Sequence, residues 1–247
     1  MSKRSPKQPP PKTTASNQKP FYIALAVIVI GGGAFIFSRV HAASVVSIPA
    51  NVAVTTADTS GFHGYFLGSP TAPVEVTEYG DLECPGCAGF SQIQFPYVKT
   101  RLINTGKIRL RYRDFPWDQL HRHPRVAAHA LACANDQGHN WDVIEKMFAT
   151  QDSWASLPDP MPALGDIVKG VGGDVGVWTT CMKSAKYAGR IQASLEEGTA
   201  IGVKSTPSFL IGGRIYEGLG SDQMEHLVDS LIAASSAANA AGGTHRP

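Results

Sequence analysis

Apolar residues form one uninterrupted run near the start of the chain. Residues 21–37 (FYIALAVIVIGGGAFIF) carry no charge. Together with Ser38 they would form a helix of roughly 27 Å, at about 1.5 Å per residue. That length is just sufficient to cross a bilayer. The pattern therefore predicts a transmembrane helix over residues 21–38.

The charges on either side of this run are unequal. Five basic residues precede it, and only Arg39 follows it closely. Lys and Arg are enriched on the cytoplasmic side of membrane helices, so we expect a cytoplasmic N-terminus and an exported domain after residue 40. The competing interpretation is a cleaved signal peptide, because Val40-His41-Ala42 resembles a small-residue cleavage site. In that case the domain is secreted or periplasmic.

Three segments contain few large apolar residues. Residues 1–20 are rich in Pro, Lys, Ser, Thr and Gln, which cannot offset the entropy of ordering, so we expect a disordered tail. Residues 39–64 are mostly Ala, Ser, Thr and Val, which predicts a linker between the membrane and the folded domain. Residues 235–247 are mostly Ala, Gly and Ser and are also predicted to be disordered.

Period-two alternation begins in the folded part of the chain. Residues 74–79 (VEVTEY) and 108–115 (IRLRYRDF) alternate apolar and polar side chains, as strands do. Residues 85–103 lie between them and have helical character. A strand, a helix and a second strand in succession predict a parallel sheet.

Helix formers dominate the middle of the folded part. Residues from about 117 to 201 are rich in Ala, with Gly and Pro breaks, and predict four or five helices. A hairpin follows over 208–217 with a Gly212-Gly213 turn, and then an amphipathic helix over about 222–234. This order predicts an α/β thioredoxin fold over residues 65–234 with an inserted helical domain.

Composition agrees with a globular domain. The 43% hydrophobic content is enough to bury a core. The net charge is only +2, and much of the basic excess lies in the first nineteen residues. We therefore predict no nucleic-acid partner.

The motif Cys84-Pro85-Gly86-Cys87 stands where a strand runs into a helix. Pro85 suits the first helical position, where a missing N–H does no harm, so Cys84 lies beside unpaired backbone N–H groups. These groups and the helix dipole favour the thiolate and lower the pKa of Cys84 below its free value of about 8.5. Cys84 is the predicted nucleophile. Cys87, about one turn further on, can close a disulfide with it or resolve a mixed disulfide.

Two further roles for such a pair are half of a zinc site and a structural bridge. Zinc ribbons need a second close pair, whereas Cys133 and Cys181 stand alone. A structural bridge rarely takes a strand-to-helix position. We therefore predict that the pair is neither a metal site nor a structural bridge.

Histidines and tryptophans also invite a hypothesis of bound metal or cofactor. His121, His123 and His129 are close in sequence, but no carboxylate or cysteine completes a ligand set at helix spacing. We predict solvated histidines instead. The 4 tryptophans are expected to be packing anchors.

Three segments resemble the DsbA-like thioredoxin-fold family. They are residues 79–87 (YGDLECPGC), 133–141 (CANDQGHNW) and 202–211 (GVKSTPSFLI). The resemblance covers residues 65–234. It implies a thiol–disulfide oxidoreductase, whose chemistry needs no bound cofactor.

The resemblance also assigns residues outside the cysteine motif. Thr206-Pro207 introduces the hairpin strand, where proline is tolerated. The resemblance implies that Pro207 is cis and abuts the active-site sulfurs, with Thr206 part of the site and nearby backbone pairing an extended substrate. Glu78, six residues before Cys84, matches the family's buried acid, which implies proton transfer with Cys87. The alternative for Glu78 is an ordinary exposed strand residue.

The predicted function is disulfide formation in exported cysteine-containing proteins, and the resemblance implies a membrane redox partner that reoxidises the Cys84/Cys87 couple. Gly86 departs from DsbA itself, which carries a histidine there that helps to make it strongly oxidising. The oxidising strength is therefore open, and a reductase is one alternative. An isomerase is a second, although residues 39–64 leave little room for a dimerisation domain. A copper-binding or delivery module is the third, against which a cis Pro207 argues.

Cys133 and Cys181 lie in predicted helices of the inserted block. In an oxidising compartment we expect them to form a disulfide. Closing a loop of that size stabilises a fold by about 4 kcal/mol on the chain-entropy model, so a structural role suffices. Some exported DsbA-like proteins carry a similar bridge. The functional alternative is a second redox couple that relays electrons to the first.

Overall fold

The computed structural model describes residues 19–44 and 46–242, without the side chains of 36–44 and 240–242. Helix α1 (Lys19–Ser44) belongs to one unit, and the residues from Val46 onward form a second. Among the described residues, no helix combines the length and apolar character that a membrane crossing requires, so the anchor over 21–38 stays a prediction. Of the tail predicted over residues 1–20, residues 1–18 lie outside the described part of the chain.

The second unit is built on a sheet of five strands in the order β1-β3-β2-β4-β5. Strands β2 and β3 are parallel, as predicted, with Val76 opposite Leu110. The remaining pairs are antiparallel. The strands are β1 (Tyr65–Leu67), β2 (Val74–Gly80), β3 (Ile108–Asp114), β4 (Ser208–Ile211) and β5 (Arg214–Glu217).

Strand β2 lies at the centre of the sheet and leads directly to the cysteine motif. Its period-two pattern predicts one buried and one exposed face, yet every residue except Glu75 is buried. The polar side chains of Thr77 and Glu78 are therefore enclosed. A central strand covered on both faces forces this, whatever its alternation suggests.

A nearly continuous helical stretch follows the motif, and its hydrogen bonding is irregular. It consists of α3 (Pro85–Gly89), a π-helical segment (Phe90–Gln94), α4 (Phe95–Val98) and a second π-helical segment (Lys99–Ile103). Pro96 has no N–H to donate and disturbs the regular ladder, and the N–H of Phe95 accordingly reaches back to the carbonyl of Phe90.

The inserted domain contains more helices than predicted among the described residues. They are α5 (Pro124–Asn135), α6 (Asn140–Ala149), α7 (Gln151–Trp154), α8 (Met161–Gly170), α9 (Val175–Ser184) and α10 (Ala188–Ala200). Trp154 and Trp178 are fully buried and donate their indole N–H groups to the carbonyls of Met147 and Ala130. These two side chains are packing anchors, as predicted.

The segment predicted as a linker, residues 39–64, is partly folded. Helix α1 runs to Ser44, and a short helix α2 (Thr56–Thr59) follows. Ile48 is buried in the core, and Phe62 packs against it. The linker prediction is therefore wrong for residues 46–64, because isolated apolar side chains in a polar stretch find places on the domain.

The last helix, α11 (Ser221–Gly242), passes the predicted boundary at residue 234. Met224 and Val228, one turn apart, are buried and hold it to the domain. Alanine has the strongest helix propensity, which explains why the Ala-rich residues 235–242 continue the helix. The prediction of disorder is wrong for these eight residues, and residues 243–247 lie outside the described part.

Candidate active site

The two cysteines of the motif occupy different environments at the start of α3. Cys84 is the N-cap residue with extended backbone angles, and Pro85 takes the first helical position, as predicted. Both cysteines are free thiols. Cys84 is partly exposed, whereas Cys87 is completely buried beneath it. A reagent from solvent therefore meets Cys84 first.

The loop before β4 lies against the motif. The peptide bond between Thr206 and Pro207 is cis, as the resemblance implies. The carbonyl of Thr206 lies 3.4 Å from Cys84 Sγ and accepts from the thiol when it is protonated. Gly86 sits beneath the same loop, where an added Cβ would lie 3.3 Å from the Thr206 carbonyl and 3.5 Å from Pro207 Cδ. Glycine thus lets the loop approach the sulfurs closely.

Hydrogen bonds to its sulfur make Cys84 unusually acidic for a thiol. They lower its pKa from 9.0 to about 5 against the opposing effect of burial. The Cys87 thiol contributes most, followed by the Thr206 side chain and the backbone N–H groups of Cys87 and Gly86. Because they stabilise the charged form, Cys84 is a thiolate at neutral pH.

The pKa of the buried partner, Cys87, is shifted in the opposite direction. Burial raises the pKa of Cys87 well above 9.0, and the charges of Cys84 and Glu78 add to the effect. Cys87 therefore keeps its proton while Cys84 is ionised. This division gives one sulfur for attack and one protonated sulfur in reserve.

Glu78 lies beneath the pair, in the middle of β2. It is only 4% exposed, so the interpretation as an ordinary exposed strand residue is wrong. Burial raises its pKa from 4.5 to about 8. A group with this pKa can exchange a proton near neutral pH, and its charge interacts with Cys87.

Two further buried carboxylates shape the site, and sequence reasoning missed both. Asp81 accepts hydrogen bonds from the Trp117 backbone N–H at 2.8 Å and from His121 Nδ1 at 2.7 Å. Glu83 accepts from the backbone N–H groups of Arg122 and His123. Both carboxylates hold the segment of residues 117–123 against the active-site loop. The only available signal was the presence of two acids beside Cys84.

The prediction of solvated histidines is wrong. His121 bonds to Asp81, His123 Nε2 lies 2.7 Å from the Leu157 carbonyl, and His129 is completely buried. The hydrogen bond to Asp81 raises the pKa of His121, and the charge of Cys84 acts in the same direction. Both effects favour the protonated form of the His121 ring.

Gln151 also belongs to the site, and nothing in the sequence marks it. Its side-chain amide donates to the carbonyls of Leu82 at 2.8 Å and Cys84 at 3.0 Å. It is buried on the first turn of α7. The inserted domain therefore fixes the backbone of the nucleophile directly.

Cys133 and Cys181 are joined in a disulfide that links α5 to α9. The prediction that no cysteine completes a ligand set at helix spacing is wrong for His129, because the only cluster of possible metal ligands found among the described residues consists of these two cysteines and His129. Its donor atoms lie within 4.8 Å of one another. Both sulfurs are already bonded to each other, so the cluster is not a free ligand set here.

Comparisons with known proteins agree with this geometry. A family model described as Thioredoxin matches residues 62–230. The solved structure of DsbA from Chlamydia trachomatis matches with a TM-score of 0.65, covering 75% of this chain and 98% of that one at 19% identity. At that identity the likeness concerns the fold.

Two curated relatives differ in how much of their own length this chain covers. The Na(+)/H(+) antiporter NhaA 1 of Salinispora arenicola is 30% identical over 151 residues, which is 61% of this chain and 22% of the antiporter. The chain thus spans less than a quarter of that relative. The probable disulfide bond formation protein D of Bacillus anthracis is 22% identical over 153 residues, covering 60% of this chain and 70% of the relative. The family model covers most of the chain and the DsbA structure is matched almost completely, so the chain belongs to the thioredoxin family and has the DsbA-like form of its fold.

Proposed function

We propose that this chain is a thiol–disulfide oxidoreductase that forms disulfides in exported proteins through Cys84 and Cys87. The observation that carries the proposal is the contrast between the two sulfurs. Hydrogen bonding lowers the pKa of Cys84 to about 5, whereas burial keeps Cys87 protonated. A dithiol with a stabilised thiolate resists conversion to a disulfide, so its oxidised form is a good oxidant.

The proposed reaction is a pair of exchange steps. In the oxidised enzyme a substrate thiolate attacks Cys84 Sγ, and the electron pair of the Cys84–Cys87 bond passes to Cys87. A second substrate thiolate then attacks the substrate sulfur of the mixed disulfide and releases Cys84 as a thiolate. The substrate gains a disulfide, and the enzyme gains two electrons.

Glu78 supplies the proton that Cys87 needs when it leaves. Cys87 is buried among apolar neighbours, and its thiolate is strongly disfavoured there. Burial raises the pKa of Glu78 to about 8, so its carboxyl group holds a proton at neutral pH. We assign it transfer of that proton to Cys87 and its return on reoxidation.

Thr206 and Pro207 position the substrate. Their loop contacts Cys84 and leads into β4, so an extended peptide can lie beside the loop backbone while its cysteine reaches the sulfur. The proposal includes a membrane redox partner that reoxidises Cys84 and Cys87. It also includes export of the domain, on an anchor or behind a signal peptide at residues 21–38, which rests on the apolar run and its basic flank.

The deciding experiment is equilibration of the purified domain with reduced and oxidised glutathione. We expect a potential on the oxidising side of the range from about −270 mV for thioredoxin to about −120 mV for DsbA. A value near that of thioredoxin would identify a reductase.

A Cys87→Ala variant provides a second experiment, because it should accumulate mixed disulfides through Cys84. Recovery of none would reject Cys84 as the attacking site.

The same preparations distinguish an oxidase from an isomerase and from a metal-binding module. Rearrangement of scrambled disulfides without net oxidation would identify an isomerase. Tight stoichiometric Cu⁺ binding by the reduced protein, without oxidase activity, would identify a metal module. A Cys84→Ser variant is the matched control, since it removes the nucleophile and leaves Cys87 in place.

A further inference from the structure

Cys133 and Cys181 line an open surface depression of about 560 Å³. Val177, Thr180 and Lys186 also line it. The two bridged residues differ in access to it, because Cys181 is 8% exposed and Cys133 only 1%. A reagent that enters the depression therefore reaches Cys181 first.

His129 lies on the inner side of the bridge, and its hydrogen bonds determine its tautomer. The backbone N–H of Tyr187 donates to His129 Nε2 at 3.3 Å, so this nitrogen carries no proton. Burial lowers the pKa of His129 to about 4, and the ring is neutral. The single proton therefore sits on Nδ1, which lies 3.4 Å from Cys133 Sγ and 3.4 Å from Met182 Sδ.

This tautomer of His129 favours thiol–disulfide chemistry over metal binding. A metal ion on His129 would need a bare Nδ1, and the proton would move to Nε2, where it faces the Tyr187 N–H. A leaving sulfur at Cys133 needs an N–H donor, which is what Nδ1 offers. The hydrogen bonds therefore fit sulfur chemistry better than metal binding.

We propose that Cys133–Cys181 is a second thiol-exchange site, at which a small external thiol attacks Cys181 and His129 stabilises the departing Cys133. The site goes beyond the function proposed above, since it uses neither Cys84 nor Cys87. The thiolate forms a bond to Cys181 Sγ, the disulfide breaks, and its electron pair stays on Cys133. The proton that the external thiol releases is taken up by Cys133.

A second molecule of the thiol completes the reaction. It attacks the sulfur of the first molecule in the mixed disulfide and releases Cys181, which takes up the second proton. The products are an external disulfide and two protein thiols, so two electrons enter the bridge. Because Cys181 is only 8% exposed, a small thiol such as glutathione is the expected reagent in this depression.

The test uses the full chain with Cys84→Ser and Cys87→Ser, so that only the bridge can react. Reduced glutathione is added at neutral pH without denaturant, and samples are quenched with an alkylating reagent and mapped by mass spectrometry. We expect the rate of bridge reduction to rise in proportion to glutathione and to exceed the rate of global unfolding. We also expect the transient glutathione adduct on Cys181.

Two variants on this background test His129. His129→Leu removes the N–H donor and should slow reduction about tenfold, the effect of losing one hydrogen bond to a developing charge. His129→Asn keeps an N–H near the position of Nδ1 and should restore most of the rate. Unfolding is measured for both, so that a loss of stability is not mistaken for a loss of chemistry.

Three outcomes would each overturn the proposal. The first is reduction that is independent of glutathione concentration and equal in rate to unfolding. The second is an adduct on Cys133, and the third is equal rates for the Leu and Asn variants when their stabilities match. If the Leu variant does not fold, the concentration dependence and the adduct map on the parent decide. Because Cys84 and Cys87 are absent, none of these results bears on the oxidase proposal.

Discussion

Replacing Thr206 by valine should make Cys84 a weaker acid and the enzyme a weaker oxidant. Valine keeps the shape of the side chain and the backbone carbonyl beside Cys84 but removes the hydroxyl. The Thr206 side chain is the second-largest of the hydrogen bonds that lower the pKa of Cys84 to about 5. Its loss therefore destabilises the Cys84 thiolate.

The size of the effect follows from the position of the sulfur. A hydrogen bond to a charged group contributes about 1.5–3 kcal/mol in protected surroundings. Cys84 is partly exposed, so solvent screens part of this, and we expect about 1.4 kcal/mol or less. That corresponds to an acid about tenfold weaker. The thiolate still dominates at pH 7, and the same free energy makes the potential about 30 mV more reducing.

Thiolate absorbance in the far ultraviolet against pH, and glutathione equilibration, measure the two quantities. Thr206→Ser is the matched control, since it restores a hydroxyl and should return both values towards the wild type. Cys84→Ser gives the background absorbance. A valine variant with unchanged acidity, or one whose potential becomes more oxidising, would refute the role given to the hydroxyl.

Three more predictions concern buried groups of the domain. Glu78→Gln should stabilise the reduced protein by up to about 3 kcal/mol at pH 7, because the wild-type acid, whose folded pKa is about 8, costs stability as pH rises above its unfolded value of 4.5. Chemical denaturation should show this gain at pH 7 and none at pH 4, while oxidase activity falls. Replacing Cys133 and Cys181 by alanine should lower the free energy of unfolding by about 4 kcal/mol, and an unchanged value would contradict a structural contribution of the bridge. Asp81→Asn should lower the pKa of His121, as NMR titration would reveal, because the hydrogen bond from the ring to that carboxylate is the main cause of its elevation.

Local chemistry made part of the site predictable. The positions of Cys84 and Pro85 follow from a strand that ends where a proline can begin a helix, and the structure has that arrangement. The cis bond before Pro207 followed from the resemblance of the surrounding segment to a known family. These features depend on residues close together in sequence, so a local pattern suffices to find them.

Distant contacts were not predictable in the same way. Gln151 is 67 residues from Cys84, and no periodicity marks its side chain as a donor to that carbonyl. His121 was misinterpreted for the same reason, since its partner Asp81 lies 40 residues earlier. Ile48 shows the same limit for the fold, because one apolar residue in a polar stretch carries no pattern and still finds the core.

The buried acid Glu78 shows how fold and chemistry are connected at this site. A central strand would be more stable with an apolar residue there, since burial raises the pKa of Glu78 to about 8 and no basic partner within the described part of the chain offsets it. Cys84 has the reverse arrangement, in which donors gather around a charge and lower the pKa to about 5. An acid and a thiol displaced in opposite directions from their ordinary pKa values provide both a ready nucleophile and a proton for the sulfur that leaves. Because the effect on Glu78 comes from desolvation, anything that admits water beneath Cys87 should lower the pKa of Glu78 and slow proton transfer without altering the acidity of Cys84 to the same degree.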